Sequence, residues 1–114
     1  MASKAKRRKE EKYKRSLGEI IDRKARDKSF EFATVTEVEL SSDFRYAKVF
    51  INVPGDREKQ EKALSKFNQN EGFFRSSLAQ DVDPRYTPEI EFILDDRISQ
   101  MQRIEEIASE EDEK

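Results

Sequence analysis

The residues best able to do chemistry in this sequence are basic, and they are crowded near its start. Residues 1–28 contain 12 Lys and Arg against 5 Asp and Glu, whereas residues 29–114 contain 11 against 20. Clustered ammonium and guanidinium groups bind polyanions. The N-terminal segment therefore indicates contact with nucleic acid or with an anionic membrane surface. A segment that only keeps the protein in solution is the alternative.

The chain lacks the residues that many catalytic mechanisms need. It has no His and no Cys, so it can build neither a Ser-His-Asp triad nor a Cys nucleophile, and the usual zinc sites are excluded as well. Gly18, Gly55 and Gly72 lie too far apart for a P-loop or a G-x-G-x-x-G turn. The composition still permits catalysis by paired carboxylates or by carboxylate-bound magnesium, but no motif in the sequence points to either. We expect a protein that is not an enzyme and has no cofactor or metal.

The composition predicts one small folded domain. Leu, Ile, Val and Phe make up 26 of the 114 residues, and the net charge is only −2. Disorder is favoured when these residues fall below about 20% and the net charge is high. No apolar run exceeds three residues, which argues against a transmembrane helix or a signal peptide. Together with the absence of Cys, this favours the cytoplasm.

Apolar spacing predicts a helix first and then a β-hairpin. The helical stripe consists of Tyr13, Leu17, Ile20, Ile21 and Ala25. We expect residues 1–7 to be a disordered basic lead-in. Residues 32–40 and 46–53 are predicted strands, joined by a turn at residues 41–43. Val35 and Val38 are three residues apart and would face opposite sides of a regular strand. This suggests a β-bulge or burial on both sides of the strand.

The second half predicts two helical segments, a strand and a last helix. Residues 57–80 are helical in pattern, Asp56 is a suitable N-cap, and residues 70–72 interrupt the helix. We expect Gly72 to take a non-helical conformation there. Residues 87–94 alternate as a strand, a helix follows to residue 108, and an acidic frayed tail covers 109–114. The expected core contains Leu17, Ile21, Val49, Ile51, Leu64, Phe67, Phe92 and Leu94.

Three stretches of the sequence resemble the ribosome-binding factor A family of bacterial small-subunit assembly factors. Residues 38–53 contain an Asp before a large apolar residue, followed by Ala-x-Val-aromatic. Residues 72–78 are similar to the family's Gly-x-hydrophobic-Arg-x-x-Leu, and residues 85–92 to its Pro-Glu-hydrophobic-x-Phe. The three occur in the family's order and spacing, and the resemblance covers roughly residues 8–108.

The resemblance implies an α+β, KH-like domain of type II topology at residues 8–108. In this fold a three-stranded sheet carries helices on one face, in the order α-β-β-α-kink-α-β(-α). KH domains clamp the nucleic-acid backbone with a G-x-x-G loop. The family replaces this loop with an Ala-x-Gly kink, which corresponds here to Asn70, Glu71 and Gly72, with Asn in place of Ala.

The implied function is assembly of the ribosome. The protein would act as a monomer that binds the immature small (30S) ribosomal subunit and its 16S rRNA. It would promote late maturation, 5′-end processing and growth at low temperature, with no small-molecule substrate and no membrane. The alternatives are a protein-interaction adaptor that uses the basic helix or the acidic tail, a general RNA-binding module, and a small enzyme that holds a phosphate with Arg and Asn.

Eight cations are the candidate RNA contacts, because they lie in the basic head, near the turns and the kink or, for Lys48, on the outward face of the second strand. They are Arg7, Arg8, Lys12, Arg15, Arg45, Lys48, Arg75 and Arg85. Each has an alternative: Lys48 could be an ordinary solvated lysine, and Arg75 could cap a carbonyl or pair with an acid. Arg45 and Arg85 could pair with Asp43 and Asp83. Phe73 and Phe74 fit the core better than base stacking.

Overall fold

The structure is a computed structural model that describes residues 4–23, 30, 32–82, 85 and 87–97. Its elements are α1 (Lys4–Arg23), β1 (Thr34–Leu40), β2 (Tyr46–Asn52), α2 (Arg57–Gln69), α3 (Glu71–Asp81) and β3 (Glu89–Leu94). This is the predicted order as far as β3. The predicted C-terminal helix and acidic tail lie outside the described residues.

The three strands form one mixed sheet in the order β1-β2-β3. β1 and β2 are antiparallel and form the predicted hairpin, in which the Ser41 N–H donates to the Tyr46 carbonyl at 2.8 Å. β2 and β3 are parallel, so they need a crossover connection, which α2 and α3 provide. The suspected bulge in β1 is confirmed, since the register shifts between Val35 and Glu37.

The core lies between the helices and one face of the sheet. Ala47, Val49 and Ile51 alternate along β2 and are all buried, as their two-residue repeat predicts. Four buried phenylalanines pack between this face and the helices, with neighbouring ring centroids 4.6 to 5.7 Å apart. They are Phe30, Phe67, Phe74 and Phe92. Of the eight expected core residues, Leu64 and Leu94 are only partly buried at its margin.

Three local predictions are wrong. α1 begins at Lys4, so residues 4–7 are helical and not disordered, because Lys, Ala and Arg are good helix formers that continue the helix before the apolar stripe begins at Tyr13. Phe73 is 41% exposed, whereas Phe74 is buried. Gly72 lies inside α3, and the break falls at Asn70, with φ −102° and ψ 18°. The Asn70 amide donates to the Lys66 carbonyl at 2.8 Å and so ends α2.

A buried carboxylate fastens the end of β3 to β1. Asp95 accepts hydrogen bonds from the hydroxyl of Thr36 and, at 2.8 Å, from the guanidinium of Arg97. Arg97 also pairs with Glu37 of β1 at 3.1 Å. The hydrogen bond from Arg97 is the main reason that the pKa of Asp95 is well below its ordinary value. Asp95 is therefore charged at neutral pH and holds the two outer strands together across the end of β2.

Candidate RNA-binding surface

The exposed side of α1 carries a row of cations that we call the basic stripe. It consists of Lys4, Arg8, Lys12 and Arg15. Their spacing of four, four and three residues places them on one side of the helix, away from the buried face with Tyr13 and Leu17. They line a shallow cavity of about 770 Å³ that ends against Val82, just after α3.

Three of the four predicted N-terminal contacts therefore belong to the basic stripe. Arg7 lines the same cavity but also a smaller one of about 350 Å³ on the other side of α1. Glu10, Glu37 and Arg97 line this second cavity with it, so charges of both signs surround Arg7 on that side. The stripe is a more uniformly positive surface than the side that faces β1.

A second cationic surface lies where α1, the β1–β2 turn, α3 and the start of β3 converge. We call it the basic cleft, and its volume is about 830 Å³. It is lined by Lys9, Asp43, Phe44, Arg45, Tyr46, Arg75, Arg85, Thr87 and Glu89. The structure thus brings together three predicted arginines that are far apart in the sequence, and adds Lys9 from α1.

The β1–β2 turn that supports the cleft is fixed by its own hydrogen bonds. The Asp43 carboxylate accepts from the Ser41 hydroxyl at 2.7 Å and from the Arg45 N–H at 3.1 Å. These two hydrogen bonds, that of Ser41 first, lower the pKa of Asp43. The start of β3 is attached to the same turn, since the Glu89 N–H donates to the Arg45 carbonyl at 2.9 Å. The backbone that carries Arg45 is therefore held in place before any ligand binds.

Phe44 connects this turn to α1. It has a φ of 62°, a left-handed conformation that is unusual for a bulky residue. The Lys9 ammonium lies 5.3 Å from the centre of its ring, within the range of a cation–π contact. This contact places Lys9 at the edge of the cleft and joins the cleft to the basic helix.

Arg75 reaches the cleft from the first turns of α3. It forms an ion pair with Glu71 at 3.6 Å, so the alternative that it pairs with an acid is confirmed. Its side chain is still 42% exposed. Glu71 also accepts a hydrogen bond from the Ile90 N–H at 3.0 Å. The Glu71 carboxylate therefore points towards β3, while Arg75 remains accessible from the cleft.

A family model for ribosome-binding factor A matches residues 5–108 of this sequence. The chain belongs to the ribosome-binding factor A family. The resemblance inferred from the three sequence stretches is therefore confirmed.

Solved structures of ribosome-binding factor A have the same fold. The chain is 29% identical to a Thermus thermophilus crystal structure, with a TM-score of 0.68 over 78% of this chain and 94% of that one. It is also 29% identical to a Thermotoga maritima protein solved by NMR and assigned to this factor, with a TM-score of 0.68 over 82% and 89%. A homology model of the T. thermophilus factor, fitted into a cryo-EM map of a 30S complex, matches with a TM-score of 0.62 at 29% identity over 73% and 87%. These matches confirm the α+β, KH-like fold.

The helix break between α2 and α3 presents backbone to solvent at Gly72. Gly72 is exposed, and a Cβ placed on it would meet no atom within 4 Å. No packing inside the described part of the chain therefore requires glycine at this position. The Glu71 side chain is 25% exposed and engaged with β3 and Arg75. The open part of the kink is thus the Gly72 backbone.

Lys48 lies apart from both cationic surfaces. It is exposed on the sheet face opposite the helices, and its register partners on the two sides are Glu39 and Glu91. Two neighbouring carboxylates reduce the positive potential at its ammonium. Arg45 lies 3.9 Å from Asp43, but its side chain is 79% exposed and it lines the cleft. Lys48 and Arg45 thus have different surroundings, although both were predicted from the same hairpin.

Sequence reasoning missed Lys4, Lys9 and Tyr46 as residues of these surfaces. The signal for Lys4 was its spacing from Arg8, which continues the helical row. Lys9 and Tyr46 gave no comparable signal, because their proximity depends on how α1 packs beside the turn. Among the described residues, no group of His, Cys, Asp and Glu could hold a metal ion, and no helix is long and apolar enough to cross a membrane.

Proposed function

We propose that this chain is an assembly factor that binds the immature small (30S) ribosomal subunit through its 16S rRNA. In this proposal it acts in the cytoplasm as a monomer, promotes late maturation and 5′-end processing of that RNA, and catalyses no reaction itself. Family membership supports the proposal, as does the related T. thermophilus factor fitted into a map of a 30S complex.

The observation that carries the proposal is the convergence of Arg45, Arg75 and Arg85 with Lys9 in one cleft. The cleft adjoins a helix whose exposed side is basic. Cations that converge from separate parts of a chain suit the phosphates of a folded RNA. Phosphate contacts supply affinity, whereas selectivity has to come from the shape of the RNA. The factor would favour one RNA conformer only by the difference in its affinity for the alternatives.

Co-sedimentation with purified ribosomal subunits tests this function. We expect the chain to sediment with small subunits and much less with large ones. The double variant Arg45→Glu/Arg75→Glu should bind small subunits about tenfold or more weakly, because two charge-assisted contacts become repulsive. The matched control is Lys59→Glu/Lys62→Glu, since both lysines are exposed on α2 outside the cleft.

Two results would contradict the proposal. Equal binding to both subunits would indicate a general RNA-binding module. No binding that depends on salt would favour the protein-interaction adaptor, because neutralised RNA phosphates release counterions and make affinity fall with salt.

A further inference from the structure

An aromatic side chain at the mouth of the basic cleft has no role in the core. Tyr46 is 56% exposed, and it lines the cleft beside Arg45. It is the first residue of β2 and shares the sheet face opposite the helices with Lys48. Among the described residues that line the cleft, the other aromatic one is Phe44, which is half-buried and packs against the core. The ring of Tyr46 therefore offers an open surface next to cations.

Both backbone polar groups of Tyr46 are hydrogen-bonded to Ser41. Its N–H donates to the Ser41 hydroxyl at 3.0 Å, and its carbonyl accepts from the Ser41 N–H at 2.8 Å. Ser41 is in turn bound to Asp43 at 2.7 Å. A side chain on a fixed backbone loses little further freedom when it binds a partner, which favours binding.

The charges around Tyr46 have both signs, and this limits what the cleft can hold. Arg45, Arg75 and Arg85 supply cations, whereas Asp43 and Glu89 supply carboxylates. Glu89 is the register partner of Tyr46 in the parallel pair of strands. Carboxylates repel the closely spaced phosphates of a duplex. They suit the edge of an exposed base, where amino and imino groups donate hydrogen bonds.

We propose that the basic cleft binds one unpaired nucleotide of single-stranded RNA, with its base stacked on Tyr46 and its phosphate held by Arg45 and Arg75. This proposal rests on the proposed function, that the chain binds RNA. The volume of about 830 Å³ lies within the ordinary range of ligand sites. Stacking on aromatic rings tolerates any base and contributes strongly to affinity for single strands.

The test compares an unstructured RNA of about eight nucleotides that contains 2-aminopurine with a duplex of the same sequence. Tyr46→Leu should weaken binding of the single strand about five- to 150-fold, the range that the loss of one stacked base produces. It should also remove the quenching of 2-aminopurine that stacking causes. Tyr46→Phe keeps the ring and should bind within about twofold of the parent. Duplex binding should be unchanged in both variants.

Phe73→Leu is the matched control, because Phe73 is a 41% exposed aromatic outside the cleft. It should leave binding of the single strand unchanged. Thermal unfolding checks that the Tyr46 variants fold, since substitutions at exposed positions change stability by only about 0.5 kcal/mol.

The inference is wrong if Tyr46→Leu binds the single strand as the parent does, or if it loses duplex binding to the same extent. In either case the proposed function stands, provided that the parent still sediments with small subunits. A parent chain that binds neither subunits nor either form of RNA would overturn the proposed function itself.

Discussion

The side-chain amide of Asn68 makes both backbone hydrogen bonds that a neighbouring strand would make to Phe92. Its Oδ1 accepts from the Phe92 N–H at 2.9 Å, and its Nδ2 donates to the Phe92 carbonyl at 3.2 Å. Glu71 accepts from the Ile90 N–H in the same way. β3 is an edge strand, and open edges invite pairing with other chains. Because Asn68 of α2 and Glu71 of α3 bind this edge, the N–H groups of Ile90 and Phe92 are already paired and do not invite another strand.

Replacing Asn68 should destabilise the fold. Asn68→Leu removes two hydrogen bonds and leaves the N–H and carbonyl of Phe92 without these partners, so we expect a loss of about 1–3 kcal/mol. Urea unfolding measures it. The neighbouring Gln69→Leu variant is the control, because Gln69 is exposed and the change should stay within about 0.5 kcal/mol. Equal stabilities for the two variants would show that the amide does not support the edge.

Truncating the aromatic core should be more damaging. Phe67 and Phe92 are 0% and 2% exposed, and their ring centroids lie 4.9 Å apart. Phe67→Ala or Phe92→Ala should lower the unfolding free energy by about 3–5 kcal/mol. Phe73→Ala, at a 41% exposed position, should have a much smaller effect. A loss below about 1 kcal/mol at both buried positions would contradict the assignment of the core.

Two glycines should respond in opposite directions to the same substitution. Gly72 is helical, and a Cβ there meets nothing within 4 Å, so Gly72→Ala should raise stability by up to about 1 kcal/mol. Gly55 has a φ of 119°, and a Cβ there would lie 3.0 Å from the Lys59 side chain. Gly55→Ala should lower stability by about 1–2 kcal/mol. Thermal unfolding of both variants checks this, and a destabilised Gly72→Ala would mean that glycine is needed at the kink.

The sequence predicts this fold best where one local rule determines the outcome. The alternation of Ala47, Val49 and Ile51 identifies the buried face of β2 without any tertiary information. The kink was assigned to Gly72 because glycine is the usual helix breaker, whereas Asn70 ends the helix through its own amide. The basic cleft was not predictable, because the position of Lys9 over Phe44 depends on how α1 packs beside the turn.

Stability should depend on pH through Asp95. Its folded pKa is lowered from the ordinary value, chiefly by the hydrogen bond from Arg97 and also by that from Thr36. The unfolded state therefore takes up the proton first, at a pKa of about 3.9. The stability that the charged carboxylate confers is complete above this pKa and is lost as the pH falls towards the folded pKa.

Asp95→Asn tests this dependence. At pH 7 the variant should be about 1–3 kcal/mol less stable than the parent, because it lacks a charged acceptor for Arg97 and Thr36. The difference should shrink between about pH 5 and pH 2, where the parent loses the same contribution. Unfolding by urea across this pH range measures it. A difference that stays constant with pH would show that the charge of Asp95 contributes nothing to folding.

The basic stripe should determine how strongly binding depends on salt. Each phosphate that a cation neutralises changes the slope of log affinity against log salt by about 0.7 to 0.9. Replacing Lys4, Arg8 and Lys12 by Gln should therefore flatten the slope for small subunits by about two units if all three engage phosphates. All three are exposed, so the fold should be unaffected. Gln at Lys59, Lys62 and Lys66 of α2 removes the same charge elsewhere and should leave the slope nearly unchanged. If the two triple variants have the same slope, the stripe only keeps the helix in solution, and phosphate binding belongs to the cleft.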